Sequence, residues 1–205
     1  MASRWLRERR GEYYYRLAKE TGYRSRAAFK LLQVSQKYKL IHVGDTVVDL
    51  GAAPGGWMQA ARTLVGEKGF VLGIDLKPIE PLPWPNVEFL VGDLMEFESL
   101  KLDERLPKGR ADVVLSDAAP NVSGAWEVDH ARQIELAETS LRIASRILRP
   151  GGNSLLKTFQ GDLLDGFVKE VKTFFSIVKI VKPRASRSES SETYVLGLKF
   201  NSQLI

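Results

Sequence analysis

The sequence predicts an α/β fold built on a mainly parallel sheet, and three observations carry that reading. Short β-branched apolar runs recur along the chain, with helical patterns between them. These runs end at or beside an acid, at Asp49, Asp75, Asp93 and Asp117. The first lies within Thr46 to Gln59, TVVDLGAAPGGWMQ, and breaks into a loop of three glycines and a proline. That is the pattern of a strand, a ligand-binding turn and the start of a helix.

Taken in order, residues 1 to 39 come first as a basic arm. They hold eleven Lys/Arg and three Glu, a net of +8, whereas the rest of the chain nets −3. Trp5, Tyr13, Tyr14, Tyr15, Tyr23 and Phe29 are interleaved with that charge, so the arm offers phosphate-pairing groups and flat faces for bases. RNA is the leading partner, with Arg4, Arg7, Arg9, Arg10, Arg24 and Arg26 as candidate contacts; the other reading is a solvated helical arm. Glu8, Glu12 and Glu20 argue against an organelle-targeting peptide, which avoids acids. Ser25 to Tyr38 reads as an amphipathic helix, with Ala28, Leu31, Leu32 and Ser35 on one face and Lys30 near its edge, where a lysine is usually solvated.

Beyond the glycine loop, Gly56 to Val65 makes a helix and Gly69 to Asp75 a second apolar strand. Asp75 lies about 20 residues past the loop, the distance at which a carboxylate takes ribose hydroxyls in such folds. Val87 to Val91 is a third strand, closed by Gly92-Asp93, and Ala111 to Ser116 a fourth that runs into Asp117 and a proline-stiffened turn. Asp129 to Leu148 is a long helix stopped by Pro150-Gly151-Gly152, and Asn153 to Phe159 is a fifth strand. Lys157 sits in that strand among Leu155, Leu156 and Phe159, so it must open into a polar cleft or meet a carboxylate. Asp162 to Phe175 is a helix, and Ile177 to Lys182 with Glu192 to Phe200 form a hairpin. No internal repeat breaks the series, which reads as one domain spanning 1-205 with 1-39 as its helical arm.

Composition narrows the chemistry. With 44% hydrophobic and 27% charged residues the chain is an ordinary globular one, and without a long apolar run or a signal sequence it is expected to act inside the cell, in the cytoplasm, with no membrane. It has no cysteine, and His42 and His130 are too few and too far apart for a metal site, so catalysis falls to carboxylates, amines or hydroxyls. The glycine loop narrows the cofactor. A dinucleotide fingerprint would need glycine at 51, 53 and 56, but Ala53 holds the middle place. Asp49, Gly51, Gly55 and Gly56 suit an S-adenosyl-L-methionine loop better.

These motifs together carry a resemblance. DLGAAPGGW at 49 to 57, GID at 73 to 75, SDAAP at 116 to 120, LLKTFQG at 155 to 161 and SSETY at 190 to 194, with SRAAFKL at 25 to 31, are similar to the RrmJ/FtsJ family of RNA ribose 2′-O-methyltransferases. The likeness covers nearly the whole chain, in the family's order. It implies a Rossmann-like class I methyltransferase fold with a seven-stranded sheet, and a Lys-Asp-Lys-Glu tetrad that falls here on Lys30, Asp117, Lys157 and Glu192. It also implies that Gly55, Trp57, Asp75, Asp93 and Asp117 hold S-adenosyl-L-methionine. The strand around Asn153 and Ser154 is more polar than the likeness leads one to expect, which touches packing rather than chemistry.

Methyl transfer from a sulfonium to a ribose 2′-hydroxyl needs the oxygen held about 3 Å from the carbon and relieved of its proton. Lys157 is assigned as base or oxyanion stabiliser, Asp117 as the group that orients it and flanks the cofactor, and Lys30 and Glu192 as positioning groups. The expected substrate is a uridine of 23S-type large-subunit ribosomal RNA, free or in the ribosomal subunit, modified by a monomer. That step rests on compact family members with this build; the alternative within the family is a transfer RNA anticodon loop. Outside it stand a non-catalytic RNA-binding protein, which would explain the arm alone, and a nicotinamide-dependent oxidoreductase, which Ala53 disfavours.

Overall fold

The structure is a computed structural model that describes residues 12–187 and 189–201. Arg4, Arg7, Arg9 and Arg10 lie outside the described residues. Strands β1 (Thr46–Leu50), β2 (Phe70–Asp75), β3 (Val87–Val91), β4 (Ala111–Ser116), β5 (Leu148–Phe159), β6 (Phe175–Val181) and β7 (Glu192–Phe200) form one sheet among the described residues. Its order is β3-β2-β1-β4-β5-β7-β6. The first five strands run parallel, and β7 is antiparallel to both β5 and β6. This is the mixed sheet with a C-terminal antiparallel hairpin that the sequence predicts.

Helices cover both faces because the central strands are apolar on both. Helix α1 occupies residues 12–20, followed by α2 (Ala28–Tyr38), α3 (Gly56–Val65), the short α4 (Leu102–Arg105), α5 (Trp126–Ile147) and α6 (Leu164–Phe174). Successive strand residues point to opposite faces. On one face Val47, Val71, Val113, Leu115 and Leu155 pack with Leu31 and Val34 of α2 and Met58 and Ala61 of α3. On the other, Val48, Leu50, Leu72, Val114 and Leu156 pack with Leu141 and Ala144 of α5 and Phe167 of α6. Strand order reverses direction between β1 and β4, and in such sheets ligands bind outside the strands' carboxyl ends at that switch point.

Element boundaries differ from the sequence expectation by three residues or more in three places, each for a local reason. Helix α2 starts at Ala28 rather than Ser25, because Ser25 and Arg26 form a turn whose carbonyls accept the Ala28 and Phe29 amides. Strand β5 starts at Leu148 rather than Asn153: Leu148 pairs with Ala111, and a register shift between Ala111 and Val113 absorbs Pro150-Gly151-Gly152 instead of ending the strand. Helix α5 begins at Trp126, a turn earlier than expected, because the Asp129 carboxylate accepts the Ser123 and Gly124 amides and so fixes the chain entering the helix. The polar Asn153 is satisfied, donating to the Leu40 carbonyl and accepting from the Lys199 amide, whereas the buried Ser154 hydroxyl has no partner among the described residues.

Gly51 and Gly166 test how far backbone geometry governs this fold. Gly51 has φ +76°, and a Cβ there would lie 2.6 Å from Ala118 Cα. Gly166 sits in α6 with open space around its missing Cβ. Gly51→Ala is expected to destabilise the protein by about 1 to 3 kcal/mol, and Gly166→Ala to stabilise it by roughly 0.5 to 1 kcal/mol. Urea unfolding midpoints at unchanged slope measure both.

Candidate active site

Four elements deliver one cluster at the carboxyl ends of the central strands. Lys157 and Tyr194 are directly opposed in the β5–β7 ladder, and Phe159 is opposed to Glu192. Glu192 and Tyr194 are two residues apart on β7 and so share a face. Asp117 follows β4, and Lys30 reaches in from α2. Lys157 Nζ donates to the Asp117 carbonyl at 2.9 Å, forms an ion pair with Asp117 Oδ1 at 2.7 Å, and lies 3.6 Å from Glu192 Oε2. Lys30 Nζ donates to Glu192 Oε1 at 2.5 Å and to the Tyr194 hydroxyl at 3.1 Å. All four predicted tetrad residues therefore meet in the structure.

Lys30 is buried, with 7% of its surface exposed, rather than solvated at the edge of its helix. The reason is the carboxylate waiting for it: a buried ammonium is tolerated where it is paired and hydrogen-bonded. Burial alone would raise the Glu192 carboxyl, but Lys30 and Lys157, helped by a hydrogen bond from Tyr194, hold it down at about 2.

Tyr194 was not singled out from the sequence, although SSETY contains it. Its ring is fully buried, and its hydroxyl lies 2.8 Å from Asp117 Oδ1 and 3.0 Å from Glu192 Oε1. One proton cannot serve both acceptors at once. Burial, followed by the two carboxylates, pushes the phenol well up, so it stays neutral and bridges the two acids. The available signal was the period of a strand: two residues after Glu192, Tyr194 had to point the same way.

Beside this cluster lies the glycine loop. The Gly51 and Ala52 amides donate to the Ile74 carbonyl, and the Asp117 amide to that of Leu50, so the loops after β1 and β4 are tied to the sheet. Gly55, at φ +103°, leads into α3, whose first turn offers amides without intrahelical partners. Asp75 accepts the Ala53 and Lys77 amides, and Asp93 accepts the Met95 amide. Each carboxylate is partly exposed. The Trp57 indole is buried, donates to the Ala27 carbonyl at 2.7 Å and lies 5.7 Å from the Tyr194 ring. Its side chain thus joins α3 to α2 and to the cluster.

Asp49 provides a test of what the loop can hold. It is fully buried, and neither carboxylate oxygen has a partner among the described residues. Burial and then the neighbouring charges of Asp117 and Asp75 push its carboxyl well up. The partly exposed Asp75 and Asp93 beside the glycine loop make an acceptor-rich cleft that suits a ligand carrying hydroxyl donors, as S-adenosyl-L-methionine does.

The two predicted arginines within the described residues take different surroundings. The Arg24 guanidinium donates to the carbonyls of Pro54, Glu80 and Pro81, which ties the N-terminal segment to the loops around the cleft. Arg26 is partly buried; burial and then the charge of Arg187 disfavour its cation, with Glu192 acting the other way. A separate groove lined by Phe97, Lys101, Lys108, Arg110 and Arg146 contains none of the predicted site residues.

Comparison with known proteins gives the family and supports the fold. Residues 23–200 match the model of the FtsJ-like methyltransferase family. A Methanococcus maripaludis protein named ribosomal RNA large subunit methyltransferase E is 50% identical over 198 residues, covering 97% of this chain and 77% of its own. A Plasmodium falciparum protein described as a ribosomal RNA methyltransferase superposes with a TM-score of 0.77 at 28% identity, over 87% of this chain and 98% of its own. Aeropyrum pernix fibrillarin, solved with bound S-adenosyl-L-methionine, shares the fold at a TM-score of 0.60 and 18% identity, over 86% of this chain and 75% of its own.

The depressed Glu192 carboxyl has a consequence in solution. Because its folded value of about 2 lies below the ordinary 4.5, its contribution to stability is complete above about pH 4.5 and is lost as pH falls towards 2. Thermal unfolding of wild type and Glu192→Gln is expected to show a stability gap that is level near neutrality and narrows on acidification below about pH 4.5. A gap of constant size down to about pH 3 would mean that the carboxylate is not held by its two lysines.

Proposed function

This chain belongs to the FtsJ-like methyltransferase family, and from that premise we propose that it moves a methyl group from S-adenosyl-L-methionine to a ribose 2′-hydroxyl of RNA, at a uridine of large-subunit ribosomal RNA. The observation that carries the reading is the cluster of Lys157, Asp117, Lys30 and Glu192 beside the glycine loop. It sets an amine, held by two acids, where a hydroxyl could meet the cofactor. The ribosomal substrate rests on the name of the Methanococcus maripaludis relative and on the basic N-terminal segment. The chain is read as one methyltransferase domain acting as a cytoplasmic monomer.

When bound, S-adenosyl-L-methionine supplies an electrophilic methyl carbon. Asp75 and Asp93 are assigned to its hydroxyl groups, and Gly55, Trp57 and Asp117 to the rest of its surface, with Gly55 and Trp57 contributing backbone. Lys157 acts on the 2′-oxygen. With the cofactor bound, a neutral Lys157 amine would take the 2′-hydroxyl proton, or a Lys157 ammonium would stabilise the developing alkoxide while the proton leaves to water. Asp117 orients Lys157 through the contact at 2.7 Å, and Lys30 fixes Glu192 at 2.5 Å so that the second acid stays in register. The partly buried Arg26 beside Arg187 is suited to a phosphate, which would relieve the repulsion between them.

Two expectations separate chemistry from binding. Lys157→Ala should lower single-turnover methyl transfer by about a hundredfold or more while cofactor affinity, read by calorimetry, stays nearly level. Lys157→Arg should fail to restore it if Lys157 is the base, because a guanidinium does not give up its proton, and should restore part of it if the role is alkoxide stabilisation.

The substrate is read by offering labelled cofactor to ribosomal particles, free ribosomal RNA and transfer RNA. Label on a uridine ribose of large-subunit RNA is expected, and a 2′-deoxy target should abolish transfer while binding persists. Label on transfer RNA alone would move the protein to the anticodon-loop enzymes, and label on a base would overturn the mechanism. RNA binding without any cofactor binding would leave a non-catalytic RNA-binding protein.

A further inference from the structure

We propose that Trp126 is a stacking platform for a nucleobase next to the reacting ribose, and that it fixes the substrate strand at the mouth of the site. The inference rests on the RNA 2′-O-methyltransferase reading above and goes beyond it in naming where a neighbouring base is held.

Trp126 is the first residue of α5, and 48% of its surface is exposed. Its ring is nonetheless held. It stacks on His130, one turn further along the helix, at 5.5 Å between centroids and an interplanar angle of 16°. It also stacks on Phe159, at 6.0 Å and 23°. His130 is buried against Gly161, where any Cβ would run into the imidazole. The chain entering the helix is fixed as well: the buried Asp129 carboxylate accepts the Ser123 amide at 2.7 Å, the Ser123 hydroxyl at 2.8 Å and the Gly124 amide at 3.1 Å. The result is a large, ordered aromatic surface that folding leaves half open to water.

Its position ties that surface to the chemistry. Phe159 lies two residues after Lys157 on β5, so the two share a face of the strand and are about 7 Å apart along it. Phe159 is also the ladder partner of Glu192. The indole, 6.0 Å from the Phe159 ring, therefore lies within about 13 Å of Lys157, a span of one to two nucleotides of an extended strand. Three near-parallel rings suit a flat π-face better than an aliphatic side chain, and bases splayed from single-stranded RNA stack on aromatic residues in this way. The ring brings no hydrogen-bond reading of its own beyond the indole N–H, so it should accept any base, purines more strongly than pyrimidines.

The test uses the full chain as wild type, Trp126→Ala and Trp126→Phe, with large-subunit ribosomal RNA carrying the target nucleotide. Versions of that RNA have an abasic site at either neighbour of the target. Trp126→Ala is expected to raise KM for RNA roughly tenfold or more, with a much smaller change in kcat and level cofactor affinity, and Trp126→Phe to recover most of the loss. An abasic site at one neighbour should raise the wild-type KM by a similar factor and add little to the Trp126→Ala defect. An unchanged KM in Trp126→Ala, or losses that simply add, would overturn the platform and leave Trp126 to another partner, such as a protein.

A failure of the methyltransferase reading would look different: wild type would label no ribosomal RNA. Stacking is then read directly by titrating single-stranded RNA into wild type and Trp126→Phe and comparing tryptophan fluorescence. The difference between them isolates Trp126 from the other three tryptophans. Quenching confined to wild type supports the proposal, and equal quenching in both overturns it.

Discussion

Two lysines are buried among the described residues, and the site exists because two carboxylates and one phenol make that burial tolerable. A lone lysine at 7% exposure would meet a desolvation penalty of several kcal/mol. Lys157 meets it with the carboxylate and carbonyl of Asp117, and Lys30 with Glu192 and the Tyr194 hydroxyl. Removing one partner strands a charge, so the five groups stand or fall as a unit. The same requirement fixes α2 over the sheet, since Lys30 reaches Glu192 only from that place.

The cofactor side of the cleft follows a different logic, set by backbone rather than by charge pairs. Gly51 turns under Ala118 where no side chain would fit, which brings the loops after β1 and β4 into contact at the switch point. Carboxylates then line the cleft from successive strand ends: Asp75 and Asp93 partly open, Asp49 sealed beneath the loop without a partner among the described residues. An uncompensated buried acid of this kind costs stability, and its carboxyl is held towards the neutral form.

Much of this was legible in the sequence, and the omissions share a cause. The strands could be read because β-branched runs bounded by glycine and acid have few other interpretations, and Lys157 stood out because a charge in an apolar strand demands a partner. Lys30 looked solvated because helical periodicity places a residue on a face but says nothing of what faces it across 162 residues. Tyr194 was passed over because a tyrosine in a strand is ordinarily core, and its meaning lies in two acceptors from distant segments. Trp126 was hidden because the helix was expected to begin three residues later; only Asp129 reaching back to Ser123 and Gly124 shows that the indole is part of its first turn. Arg24 was read only as a candidate RNA contact, and its guanidinium also donates to three backbone carbonyls that sequence spacing cannot bring together.

The place of β7 in the sheet has a kinetic consequence. It follows β6 in the chain but inserts between β5 and β6, and it carries both Glu192 and Tyr194. The cofactor half, from β1 to β4, is closed by nearer neighbours in sequence, whereas the lysine cluster waits for a contact between Lys30 and Glu192 across almost the whole described chain. Closing so long a loop is entropically slow, so a partly folded chain can own a formed nucleotide-type cleft before it owns the groups that act on a substrate. The topology therefore predicts an order of assembly in which the cofactor half closes before the lysine cluster.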